Sequence, residues 1–205
     1  MTWMLTAQGH VIDIRYINNE RIDIRDIAKS LSLTYRYNGM TSRPISVAEH
    51  SLVVADIMER EMGITSPVVV LAALMHDAHE YITGDLSSPM KACIGPVWQA
   101  EETRIQKQVL RRFGLWSAFV THHDKIHHAD MYALSTERVQ LMPDHEKEWP
   151  CITSHPPLTW IDFSLFDSWT PATWEAAFIE RFEQLHAAVQ EANSRIPAMT
   201  AGMVA

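Results

Sequence analysis

His76, Asp77, His79, Glu80 and Asp85 fall within ten positions of the stretch "LAALMHDAHEYITGD", directly after the apolar run Leu71, Ala72, Ala73, Leu74 and Met75. A buried helix does not run into so many ionisable groups without a use for them, because each unpaired buried charge is costly. On a helix, His76 and Glu80 (i, i+4) and Asp77 and Glu80 (i, i+3) share adjoining faces. His76 and Asp77 diverge by about 100°, yet near a helix end two consecutive side chains can straddle one metal ion. A metal usually needs more ligands. His50, among the apolar residues of "VAEHSLVV", and Asp130, in "HHADMYALSTER", interrupt two other apolar helical faces. Together the four supply two imidazoles and two carboxylates. That set suits a divalent first-row metal with open coordination positions better than a closed structural zinc site. Singly, each has a plainer reading: His50 as a hydrogen-bonded core histidine, Asp130 as a cap or ion-pair partner, and "HDxxE" as a solvated helix end. HExxH is absent, because Thr83 stands where the second histidine of a zinc protease would be.

The elements that must position these groups are mostly helical. "WMLTAQGHVIDIRYI" surrounds a Gln8-Gly9 turn signal with β-branched residues and predicts a short hairpin. "DIRDIAKSLSL" predicts a short helix, and "TYRYNGMTSRPI" a polar loop. Ser46 and Glu49 form a capping-box pattern that opens a helix running to about Met62 and stopping at Gly63. Ser66-Pro67 starts the next helix, expected to continue to near Gly84. After a loop, helices are expected over about 97–113 and 120–142. Residues 143–170, rich in proline and tryptophan, read as a long irregular connection. Thr170-Pro171 opens a last amphipathic helix, whose apolar face (Trp174, Phe178, Phe182, Leu185) is core or a dimer contact. The expectation is an all-α chain with a small N-terminal β-hairpin, one domain over 1–195 and a flexible tail over 196–205.

Of 205 residues 47% are hydrophobic and 20% charged, which supports a sizeable core and excludes wholesale disorder. The net charge of −8 is a poor match to a nucleic-acid polymer. Cys93 and Cys151 form no CxxC and no disulfide framework. No signal peptide and no transmembrane run is apparent, so a cytoplasmic setting without membrane association is expected. His122, His123, His127 and His128 form a dense group that is either a second metal site or a solvated helix face. Trp149, Trp160, Trp169 and Trp174 either line a nucleobase pocket or pack the long connection onto the core.

The order His50, His76-Asp77, Asp130 resembles the H…HD…D pattern of the HD-domain phosphohydrolases. "HDAHEYITGDLSSPMK" is similar to the HD-x-x-E-x-x-x-x-D stretch of bacterial and phage 5′-deoxynucleotidases, with a proline and a lysine just after it. "RYNG" before "SVAEHSLVVA" resembles their arginine-aromatic loop, and "HADMYALSTER" their last-aspartate helix. The likeness spans roughly residues 1–142 and extends to phage deoxynucleoside triphosphate triphosphohydrolases. It implies an HD-domain helical fold and a divalent cation (Co²⁺, Mn²⁺, Mg²⁺, Zn²⁺ or Fe²⁺) on His50, His76, Asp77 and Asp130. Glu80 would activate or orient the attacking water, and Asp85 would lie near the substrate. Arg36 and Lys91 would bind phosphate, and Tyr37 would flank the nucleoside. His127 stands where relatives often carry a phosphate-binding lysine, and an imidazole is the weaker partner. Lys125, five residues before Asp130, points elsewhere on a helix. His79 is left without a chemical role and reads as solvent-facing or as support behind the ligands. The implied activity is hydrolysis of deoxyribonucleotides, either a monophosphate to deoxynucleoside and phosphate or a triphosphate such as dATP to deoxynucleoside and triphosphate. A small-molecule substrate and a homo-oligomer, a dimer or higher, go with it. Cyclic-nucleotide phosphodiesterase action and a non-catalytic nucleotide-binding module are the rival readings.

Overall fold

The computed structural model describes residues 1–147 and 149–195; the expected tail over 196–205 lies outside the described residues. Strands β1 (Trp3–Leu5) and β2 (Val11–Asp13) pair antiparallel, with Met4 opposite Ile12. Gly9, at φ 79°, supplies the left-handed residue that the connecting turn requires. Ten α-helices follow among the described residues: α1 (Ile24–Leu33), α2 (Val47–Arg60), α3 (Pro67–Leu74), α4 (Glu80–Thr83), α5 (Ser88–Ile94), α6 (Pro96–Arg112), α7 (Trp116–Thr121), α8 (His123–Leu141), α9 (Pro150–Ser154) and α10 (Pro171–Ser194). Of the described residues 64% are helical, with one two-stranded hairpin, an all-α fold as expected.

α3 is the centre of the core. Val69 to Leu74 are buried on every side, since α2, α7 and α10 all pack around it. An all-apolar helix has no face to give to water, so its only stable place is inside. α10 lays Trp174, Phe178, Phe182 and Leu185 inward, where it packs on α1, α2 and α3. The apolar face of the last helix is therefore core within one chain. α10 begins with a reciprocal capping box between Thr170 and Thr173.

At α2 only half of the expected box forms. The Glu49 backbone N–H donates to Ser46 Oγ at 3.1 Å, but the Glu49 carboxylate turns instead to Arg43, 2.6 Å and 3.0 Å away. A charged partner for a buried carboxylate outweighs one more backbone bond.

Three expected boundaries shift. The helix expected over 66–84 breaks at 75–79. The loop after Gly84 contains α5. The helix expected over 120–142 begins only at His123, with α7 before it. Within 143–170 the structure forms α9 and a 3₁₀ turn over Phe163–Phe166. Trp169 lies 4.3 Å from Trp174 between ring centroids and fastens this connection to α10.

Candidate metal centre and pocket

The break at 75–79 is what brings two consecutive ligand candidates together. In an unbroken helix the Ala73 carbonyl would accept the N–H of Asp77. Here it accepts the His76 backbone N–H at 3.2 Å and the His76 Nδ1–H at 2.8 Å. The turns tighten to i→i−3 bonds, with Ala78 N–H donating to Met75 and Glu80 N–H to Asp77. His76 and Asp77 then face one point, where an ordinary helix would splay them apart.

His50 arrives from α2 and Asp130 from α8. One ligand-capable atom each from His50, His76 and Asp130 lies within 4.8 Å of the others. Asp77 Oδ2 is 3.1 Å from His76 Nε2 and 3.8 Å from His50 Nε2. Both imidazoles are buried and each has one nitrogen committed: His76 Nδ1 to Ala73, and His50 Nδ1 to Glu137 at 2.6 Å. A carbonyl and a carboxylate only accept, so Nδ1 carries a proton in each ring and the Nε2 atoms face the cluster. Neither Nε2 has a hydrogen-bond partner, although carboxylate oxygens lie 3.1 Å away. Buried polar atoms are rarely left so. Two unbonded imidazole nitrogens beside two carboxylates are a donor set that could hold a divalent cation.

The electrostatics agree. Burial works against the charge on Asp77, but His76 beside it holds the carboxyl well below the usual range. Burial is likewise outweighed at Asp130, where His50 lowers it. Burial and Arg36 oppose a proton on His50, yet Glu137 and Asp130 push it up to about 9.

Glu137 was not singled out by sequence. It is fully buried on α8 and collects three donors: His50 Nδ1, the Tyr37 hydroxyl at 2.6 Å and Arg36 Nε at 3.1 Å. Burial raises its pKa, and Arg36 and His50 more than reverse that, so it stays ionised. It thus orients one metal-ligand candidate and two pocket residues, as carboxylates behind metal-binding histidines do. The signal available was its place seven residues after Asp130, two turns on along one helix face.

Arg36 and Tyr37 reach the pocket from a strained turn. Tyr37 (φ 55°) and Asn38 (φ 54°) are both left-handed without being glycine, at a cost of about 1–2 kcal/mol each. The bonds to Glu137 hold that conformation. Arg36 Nη1 also lies 3.8 Å from Asp77.

The pocket beside the metal centre has a volume of about 420 Å³. Arg36, Asp77, Glu80, Asp85, Lys91 and Asp130 line one part of it. Glu80 is buried with Oε2 unpartnered. Burial, reinforced by Asp77 and Asp85, pushes its carboxyl well above the usual range. Burial raises Asp85 too. Lys91 lies 3.9 Å from Glu80 and 2.6 Å from Glu102, which sequence reasoning also missed. His79 is buried, with Nε2 3.5 Å from Glu102, so it is not solvent-facing. His79, Glu80 and Glu102 form a second ligand-capable group, but the Lys91 ammonium already supplies its cation. His127 is the one expected site residue the structure does not bring in: it is exposed on α8, its ring stacked on His123 at 6.2 Å.

No protein-family model matches the chain. The chain is 38% identical over 115 residues to an uncharacterized protein of Rhodobacter capsulatus, covering 55% of this chain and 59% of that one. It is 29% identical over 185 residues to the uncharacterized protein YfdR of Escherichia coli, covering 90% of this chain and 96% of that one. The matched stretch thus spans well under two thirds of the Rhodobacter protein and nearly all of YfdR. Among the described residues, no helix is long and apolar enough to cross a membrane.

Proposed function

We propose that the protein is a metal-dependent phosphohydrolase of the HD-domain type that acts on deoxyribonucleoside 5′-monophosphates. The observation that carries this reading is the convergence of His50, His76, Asp77 and Asp130 at the wall of a pocket that also holds Glu80, Arg36 and Lys91. His50, His76, Asp77 and Asp130 would hold a divalent cation. Such a cation supplies Lewis-acid polarisation of a phosphoryl oxygen and a bound water of lowered pKa.

The chain's own groups complete the reaction. Arg36 and Lys91 neutralise phosphate charge, which the surrounding carboxylates alone would repel. Glu80, with an unpartnered Oε2 at the pocket wall, accepts the proton of the attacking water. Asp85, on the same pocket wall, gives a proton to the departing 5′-oxygen. One P–O bond forms from water and the P–O5′ bond breaks, leaving deoxynucleoside and phosphate. With His127 turned away, Arg36 and Lys91 are the cationic residues lining the pocket, which favours a monophosphate over a triphosphate.

The test is a panel of deoxyribo- and ribonucleoside monophosphates, deoxynucleoside triphosphates and cyclic nucleotides with Mn²⁺, Co²⁺ or Mg²⁺, with products separated by chromatography. The expected result is phosphate and deoxynucleoside, abolished by a chelator. Release of triphosphate would move the substrate to the deoxynucleoside triphosphates, and no release from any member would sink the reading. Glu80→Ala is expected to lower turnover by about 10²–10⁴-fold with metal content retained.

A further inference from the structure

The pocket has two chemically distinct parts, and the charged part accounts for only one. Met131 and Leu134 from α8, with Trp149 and Pro150 at the start of α9, line the other. An ion as small as phosphate gains nothing from such a wall. Tyr37 stands with its ring centroid 6.0 Å from that of Trp149, the planes tilted by 40°. Trp149 precedes a proline and is extended (φ −96°, ψ 128°), which that proline favours. The Arg138 guanidinium lies 5.5 Å from its ring centroid. The segment is tied to α8 by His128 and His155, whose ring nitrogens are 2.7 Å apart, and by the Leu158 N–H donating to Thr136 Oγ1 at 3.0 Å. The indole stands at the pocket wall, unlike Trp169 and Trp174, which pack on each other.

We infer that Trp149 is the platform for the nucleobase, so that the site selects phosphate esters bearing a flat aromatic group over sugar phosphates without one. This rests on the reading of the charged part as a phosphate-ester site. An aromatic and apolar wall beside a charged end matches a ligand whose own ends are an aromatic ring and a phosphate. Stacking on an aromatic side chain tolerates every base, so Trp149 provides recognition of a base without choosing which.

The experiment is titration calorimetry of the Mn²⁺-loaded Glu80→Ala protein with deoxyadenosine 5′-monophosphate and with 2-deoxyribose 5-phosphate. The quantity read is the ratio of the two affinities. The nucleotide is expected to bind at least about ten-fold tighter. Adding Trp149→Ala should bring the ratio close to one, and Trp149→Phe should restore most of it. A ratio that survives Trp149→Ala, or one that Phe fails to rescue while circular dichroism shows an intact fold, overturns the inference. If neither compound binds, but deoxyadenosine does and loses that binding in Trp149→Ala, the base platform stands and the phosphate-ester reading fails. If deoxyadenosine does not bind either, both fall.

Discussion

His50 and His76 lie on separate elements, are buried, and each gives one ring nitrogen to the protein while the other stays unbonded. His123, His127 and His128 crowd one exposed stretch of α8 and spend their rings on each other and on His155. By count along the chain the second group is the richer in metal-binding side chains. In space it brings together no group of three ligand atoms among the described residues, whereas the first does. The difference is commitment: a histidine becomes a ligand when burial and a partner on Nδ1 fix its tautomer and aim Nε2 at a carboxylate cluster. Density on an exposed helix fixes neither.

The sharpest way to test that contrast is His76→Ala. The Ala73 carbonyl keeps its backbone bond from residue 76, so the fold should hold. Loss of an outer-shell partner typically costs about 10–100-fold in metal affinity or activity, and loss of a ligand should cost more. Metal content by elemental analysis is expected to fall to near background, with phosphate release down by more than about a hundred-fold. Full metal occupancy would remove His76 from the ligand set and dissolve the contrast.

Next in size is Glu137→Ala, which removes the partner and not the ligand. It strands the buried Arg36 and His50 without their carboxylate, a loss of about 3–5 kcal/mol. For a chain of this length that lowers Tm by about 10 °C. Metal affinity should fall by about 10–100-fold, less than in His76→Ala. An unchanged Tm would mean that Glu137 is not what commits His50. Glu137→Gln keeps the shape without the charge and should lie between the two.

The same contrast explains what could be read from sequence. The grouping of His50, His76 and Asp130 was legible because His50 and Asp130 interrupt apolar helical faces and His76-Asp77 follow directly on an apolar run, where polar groups need a reason. Helix starts at Ser46, Ser66 and Thr170 were legible from cap chemistry and proline. The break after Leu74 was not: "MHDAHEY" contains neither proline nor glycine, and the break involves the His76 ring occupying the Ala73 carbonyl. Glu102 carries no local signal, since its role exists only where α6 passes Lys91 and His79. Trp149 was visible as one of four tryptophans, yet only packing separates the one at the pocket from those that fasten the connection. Fold class follows from local pattern; a site built from distant elements also needs the tertiary register.

The smallest expected effect belongs to His127→Ala, and it is the one that bears on the exposed group. His127 stacks on His123 at 13° between planes and lies away from the pocket lining. Exposed substitutions of this kind stay within about ±0.5 kcal/mol, so Tm, metal content and KM for a deoxynucleoside monophosphate should all match wild type within error. His127→Lys sharpens the point. If that position faced the substrate, a lysine would add a phosphate contact and lower KM for a triphosphate more than for a monophosphate. With the side chain directed to solvent beside His123, neither KM should move. A selective gain for the triphosphate would show that α8 turns this face inward when substrate binds, and would put His127 among the residues that face the substrate.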